Sequence, residues 1–190
     1  MIMRVLIISF VLPLLLTFSP LSQADILSFA GDGDYNGSVT GDDGWRFNMG
    51  SGEMDFWNFT LDQETSLSVN IVSDIVFGLG LYSGELQTDP GFMFSNTGDF
   101  SGLFGESMSY IAGTDPFTPF SGNSLSNIML SAGSYTLALG GNDAGFDMFS
   151  DFDYSMNIST QAAAVPEPAL GGLFALTLSI LLIQRKRLLN

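Results

Sequence analysis

Leu130-Ser131-Ala132-Gly133-Ser134-Tyr135-Thr136-Leu137-Ala138-Leu139 decides the class of this chain. After a small-residue turn, Tyr135, Leu137 and Leu139 alternate with Thr136 and Ala138. Successive side chains of an extended backbone point to opposite faces, so this period of two marks a strand with one face in a core. The same period recurs outward from there. Phe56, Asn58 and Thr60 interleave with Trp57, Phe59 and Leu61, and Leu67, Val69 and Ile71 with Ser68 and Asn70. Ile75, Phe77, Leu79 and Leu81 alternate with Val76, Gly78 and Gly80, and Phe152, Tyr154, Met156 and Ile158 with Asp153, Ser155, Asn157 and Ser159. Clusters such as Asp99-Phe100-Ser101-Gly102 and Ser121-Gly122-Asn123 lie between these runs and read as turns. Many short strands with Gly-rich turns, and no helical period before the C-terminal tail, predict an all-β protein built as an antiparallel β-sandwich. Gly84 to Asn127 is rich in Gly, Ser and Phe and reads as a long insert with short strands.

The chain has 190 residues, no Cys and no His. Between Asp25 and Ala164 there are 19 acids against one base, Arg46, a net charge of −18. Such a domain repels nucleic acid and anionic lipid and favours divalent cations, neutral sugars and proteins. Without His and Cys there is no Ser-His-Asp triad, no Cys nucleophile and no His- or Cys-ligated zinc. Gly78-Leu79-Gly80 lacks the further glycine of a dinucleotide loop and sits in an apolar strand, where packing accounts for it. No catalytic residue and no organic cofactor is implied.

Asp32-Gly33-Asp34-Tyr35-Asn36-Gly37-Ser38-Val39-Thr40-Gly41-Asp42-Asp43 matches the Asp-x-Asp-x-Asn-Gly calcium pattern with an acid at position 12. In that pattern Asp32, Asp34 and Asn36 supply side-chain oxygens, Gly37 permits the sharp turn, and Ser38 offers its carbonyl. Thr40 acts directly or through water, and Asp43 closes the site. The loop resembles those of EF-hands and dockerins, except that position 12 is Asp rather than Glu and Gly44-Trp45-Arg46 does not start an amphipathic helix. The alternative is a solvated Asp/Gly turn. Asp143, Asp147, Asp151 and Asp153 form a second acidic group, either a cation site or a solvated face. Trp45, Trp57 and Tyr82 are either core residues or a sugar-stacking platform.

The two ends read as addresses. Met1 to Ala24 has a basic n-region at Arg4, an apolar run from Val5 to Phe18 and small residues before a cleavage site between Ala24 and Asp25. At the other end, Val165-Pro166-Glu167-Pro168 precedes the apolar run Ala169 to Ile183 and the basic cluster Arg185-Lys186-Arg187. That run reads as a short transmembrane helix whose basic flank stays cytoplasmic. The expected organisation is a signal peptide over 1–24, an exported sandwich over 25–161, a linker over 162–168, a span over 169–183 and a cytoplasmic tail over 184–190.

The tail resembles the PEP-CTERM sorting signal. The resemblance implies an exosortase-type membrane enzyme as processing partner and an inner-membrane intermediate. It also implies a final place at the outer surface or in the extracellular matrix of a Gram-negative bacterium that makes exopolysaccharide. The strands at Asp55–Leu61, Ser73–Tyr82 and Leu130–Leu139 resemble the pre-peptidase C-terminal domain, which implies a jelly-roll-like sandwich that assists binding or secretion and performs no chemistry. The expected function is thus a non-catalytic structural or adhesive surface protein, with the Asp32–Asp43 loop as its candidate calcium site. An exopolysaccharide-binding module is the alternative, and a small glycosidase working through two carboxylates a remoter one.

Overall fold

The structure, a computed structural model, describes residues 25–46, 52–115 and 122–163. The signal segment 1–24 and the tail from Val165 to Asn190, with its sorting motif, span and basic cluster, lie outside the described residues. Among the described residues no helix is long and apolar enough to cross a membrane.

Among the described residues, ten strands follow in chain order. They are β1 (Ile26–Ser28), β2 (Gly33–Thr40), β3 (Met54–Leu61), β4 (Thr65–Ser73), β5 (Phe77–Ser83), β6 (Phe100–Ser101), β7 (Ser107–Gly113), β8 (Ser124–Leu130), β9 (Gly133–Gly141) and β10 (Asp151–Ala162). A single 3-10 turn, Gly91–Met93, interrupts the β5–β6 connection. The strands form a six-stranded sheet of order β1-β3-β9-β5-β7-β6 and a four-stranded sheet of order β2-β10-β4-β8. Pairing is antiparallel except between β1 and β3. The expected all-β sandwich is the observed architecture.

The period-two runs explain which faces meet. Leu67, Val69 and Ile71 of β4 and Tyr154, Met156 and Ile158 of β10 point inward from the four-stranded sheet. Trp57, Phe59, Phe77, Leu79, Leu81, Leu137 and Leu139 answer from the six-stranded sheet. Each large apolar side chain so removed from water contributes about 1.5–3 kcal/mol before entropy costs. Outward positions such as Asn70, Val72, Asp153 and Asn157 remain exposed.

The six-stranded sheet is covered on its other face as well. Trp45, Met54, Phe56, Tyr82, Leu86, Phe100, Met108 and Ala138 form a second core there. The stretch that lacked clear period in the sequence supplies much of this cover, because Leu86, Phe94 and Phe100 fold back over Tyr82 and Phe56. Asp99–Gly102 is therefore not a plain turn: Phe100–Ser101 is β6, and Phe100 is buried. Asn123 keeps the expected turn geometry, with φ +62, and its side-chain oxygen accepts from Phe77 N at 2.6 Å.

Gly78 and Gly80 have the packing role their sequence context suggested. The Trp45 indole lies across β5, and a Cβ on Gly78 would fall inside that ring. Gly78→Ala should therefore cost about 1–3 kcal/mol through overpacking. Urea unfolding should show the midpoint falling with little change in the slope. An unchanged midpoint would mean that Trp45 does not rest on the strand.

Candidate functional site

The Asp32–Asp43 segment does not form a calcium loop. Gly33–Thr40 is β2, paired in register with β10. Asp32, Asp34, Asn36 and Ser38 occur at every second position and are all exposed. Over six residues a strand advances about 20 Å, whereas calcium draws its oxygens to roughly 2.3–2.6 Å. These side chains cannot share one ion in this arrangement. Asp32 Oδ1 accepts from Thr160 N at 2.7 Å and from Thr160 Oγ1 at 2.6 Å. Asp34 Oδ1 accepts from Asn157 Nδ2 at 2.8 Å. Asp43 lies past the end of β2, buried, with the Arg46 guanidinium 3.5 Å from Oδ1. Among the described residues no group of three or more His, Cys, Asp or Glu side chains is placed to hold a metal ion.

Gly37 also departs from its expected part. It is not among the glycines with positive φ, so it makes no sharp turn. It sits opposite Tyr154 in the β2–β10 ladder, and a Cβ there would collide with the Tyr154 ring and hydroxyl. A strand-interior glycine of this kind marks a close approach by another group.

The space left by Gly37 admits a polar relay that the sequence analysis did not name. Trp57 Nε1 donates to Tyr154 Oη at 2.8 Å, and Tyr154 Oη donates to Asp55 Oδ2 at 2.6 Å. Asp55 and Trp57 stand on β3 and Tyr154 on β10, so the relay crosses between the sheets. Burial pushes the Asp55 carboxyl up to about 6, against the lowering effect of the Tyr154 hydrogen bond. Burial likewise raises the Tyr154 hydroxyl, which stays protonated and keeps donating. An acid inside the apolar run Met54-Asp55-Phe56-Trp57 was the sequence signal for this group.

A second polar cluster ties the loop after β2 to the loop between β9 and β10. Asp42 N donates to Asp147 O at 2.9 Å, and Asp42 Oδ1 accepts from Asp147 N at 3.0 Å. Burial, then the neighbouring Asp43, Asp147 and Asp143 charges, raise the Asp42 carboxyl, partly offset by the Asp147 N–H. Asp147 is shifted the other way by hydrogen bonds from Ser150 and Phe149. A cavity of about 220 Å³ lies here, lined by Gly41, Asp43, Gly44, Glu53, Phe146, Asp147 and Met148. That is smaller than the roughly 300–1,000 Å³ of ordinary small-molecule pockets, and Asp42 and Asp147 are engaged in loop hydrogen bonds. Of the second acidic group, Asp151 and Asp153 lie on the solvent face of β10.

Of the two readings of Trp45, Trp57 and Tyr82, core residues or a sugar-stacking platform, the structure bears out the first. All three are core residues, at 1%, 5% and 0% exposure. Among the described residues the exposed phenylalanines are instead Phe92, Phe104, Phe146 and Phe149. Asn58, which opens a glycosylation-type triplet, is turned inward, accepting from Thr136 Oγ1 at 2.7 Å and donating to Leu86 O at 2.6 Å.

No family model and no curated protein matches the chain. Solved structures do. A surface-associated copper-binding protein of Methylomicrobium album BG8 important in copper acquisition, CorA, is 10% identical over 73% of this chain and 99% of that one, with a TM-score of 0.52. The likeness is one of fold. The pre-peptidase C-terminal domain of a Bacillus anthracis collagenase is 14% identical over 72% of this chain and 96% of its own, with a TM-score of 0.43. A periplasmic inhibitor of g-type lysozyme from Aeromonas hydrophila is 13% identical over 73% and 98%, with a TM-score of 0.46.

Two measurements bear on these groups. Thermal melts in EDTA and in millimolar calcium should coincide; a rise in calcium abolished by Asp32→Ala would show that β2 gives way to a loop. For Asp55, the ordinary value is 3.8 and the folded value about 6. The folded state therefore holds a proton that the unfolded chain has lost between those values. Its contribution to stability is fully present below about pH 4 and disappears as pH rises through 6. The wild-type melting temperature should fall from pH 4 to pH 7 more steeply than that of Asp55→Asn. Parallel profiles would remove Asp55 as the titrating group.

Proposed function

We propose that this chain is an exported, non-catalytic β-sandwich with a structural or adhesive role at the cell surface or in the extracellular matrix. Its place there is set by a PEP-CTERM signal and an exosortase-type enzyme. The observation that carries the non-catalytic part is where the polar chemistry goes. On the exposed face of the four-stranded sheet, Asp32 bonds to Thr160, Asp34 to Asn157, and Thr40 to Asp151 at 2.9 Å. These groups hold neighbouring strands together rather than converging on a cleft. The face they form is acidic and rich in Ser and Asn, with Asp34, Asn157 and Asn70 in one cross-strand row. Such a face suits contact with a hydrated polymer layer and repels polyanions.

Export and sorting rest on Met1 to Ala24 and on Val165-Pro166-Glu167-Pro168 with its apolar and basic continuation. The proposal is tested by fractionating a Gram-negative host that has an exosortase-type enzyme. The full chain should reach the outer surface or the medium. A chain with Pro166→Ala and Pro168→Ala should accumulate in the inner membrane with its tail attached. Equal distribution of both forms would remove the sorting role, and retention of the wild type in the cytoplasm would remove export.

A further inference from the structure

The loop between β9 and β10 keeps apolar side chains in water at a backbone cost. Phe146, Met148 and Phe149 are 74%, 55% and 88% exposed. Ala144 and Phe146 have φ of +56 and +61, in the left-handed region that side chains with a Cβ seldom enter. Strain of this kind persists only where the surroundings hold it, and it concentrates at functional sites.

The surroundings do hold it. Asp147 Oδ1 accepts from Phe149 N at 3.1 Å and Ser150 N at 3.0 Å, and Oδ2 from Ser150 Oγ at 2.6 Å. Gly41 N donates to Ser150 O and Asp143 N to Asp42 O, each at 2.8 Å. With the two Asp42–Asp147 bonds, both ends of the loop are fastened to the segment after β2. The loop is thus fixed with its apolar side chains outward, which lowers the entropy lost when a partner binds.

Its chemistry selects the partner. Phe146 and Met148 wall one side of the 220 Å³ cavity, with Asp43 and Glu53 among its other lining residues. Asp43, more than nine-tenths buried, has no hydrogen bond to either carboxylate oxygen, its contact being the Arg46 guanidinium. Asp143 and Asp147 stand on the loop itself. An apolar centre ringed by carboxylates complements an apolar side chain ringed by lysines or arginines. We propose that the Ala144–Ser150 loop is a preformed docking surface for a basic protein segment. One apolar side chain of that segment enters the cavity between Phe146 and Met148, and its flanking cations face the carboxylates. A second copy of this chain is disfavoured as occupant, because two domains of net charge −18 repel. The proposal stands apart from export and sorting.

The test uses the full-length chain and two labelled dodecapeptides, each with two central phenylalanines, one flanked by lysines and one by glutamates. Fluorescence anisotropy should show saturable binding of the lysine-flanked peptide alone, weakening as salt is raised. Phe146→Asn with Phe149→Ser should weaken it roughly tenfold, as for loss of a pair of hot-spot contacts. Asn tolerates the left-handed backbone, so this variant should melt no lower than wild type. Asp143→Asn should also weaken binding, with the apolar loop untouched. Phe92→Ser with Phe104→Ser, at exposed aromatics outside this loop, should have no effect. Four outcomes would overturn the proposal: equal binding by wild type and the Phe146/Phe149 variant, equal binding of both peptides, no binding, or a concentration-dependent dimer abolished by the same two substitutions.

Discussion

A tyrosine hydroxyl between two apolar sheets must find partners or cost several kcal/mol, and the sandwich is arranged around that requirement at Tyr154. The hydroxyl accepts from the Trp57 indole and donates to Asp55, so both of its capacities are used. Three consequences follow from this one residue. Residue 37 must be glycine, since the tyrosine fills the volume a side chain would take. β3 and β10 must keep their present register, since a slip of one residue would turn Tyr154 out to solvent and leave Asp55 and Trp57 without it. The acid must also stay buried, which raises its affinity for a proton. A polar bridge of this kind adds little net stability compared with apolar packing, but it makes other registers costly.

The six-stranded sheet shows a related constraint. Its central strands β3, β9 and β5 are buried on both faces, so β5 and β9 alternate large residues with small ones instead of apolar with polar. Small residues resolve the crowding on the outer face. Gly78 and Gly80 make room for the Trp45 indole, and Ala138 for its neighbours in the second core. Trp45 reaches that position because the segment after β2 crosses the end of the sheet, where its backbone N–H donates to Gly141 O at 2.9 Å. The same crossing carries Asp42 and Asp43 to the β9–β10 loop. Covering the sheet and fixing the loop are therefore two results of one chain path.

The strands were legible where one face is wet and the other dry, as at Leu67–Val69–Ile71 and Tyr154–Met156–Ile158. Leu130–Leu139 was legible from its turn and its alternation. β2 was not, for a definite reason. The first three ligands of a calcium loop fall at positions 1, 3 and 5, which is also the spacing of one strand face. Asp32, Asp34 and Asn36 satisfy both patterns, and only the φ of Gly37 and the pairing with β10 separate them. The long segment after Gly84 was obscure because its apolar residues cover a sheet instead of lying in one. Phe94, Leu86 and Phe100 are set by contacts with Tyr82, Phe56 and Met108, which stand on other strands and share no local period with them. The relay was half visible, since Asp55 stands in an apolar run, but its partner 99 residues away could not be read from spacing.

The acidity of the domain acquires a structural meaning from this arrangement. A chain without Cys has no disulfides to hold long loops, and here carboxylates fasten them to backbone N–H groups. Asp89 accepts from Gly91 N at 2.8 Å, Asp99 from Tyr110 N at 2.7 Å, Asp42 from Asp147 N at 3.0 Å, and Asp147 from Phe149 N and Ser150 N. Charge-assisted bonds of this type are about twice as strong as neutral ones. In Asp147 such bonds hold the carboxyl below its ordinary value. Its contribution is present above that value and is lost only as pH falls through the lower, folded one. Asp55 works in the opposite sense, stabilising as pH falls from about 6. Mild acid therefore tightens the centre of the sandwich, while at the β9–β10 loop Asp42, its carboxyl raised, gives up its charge before Asp147 does.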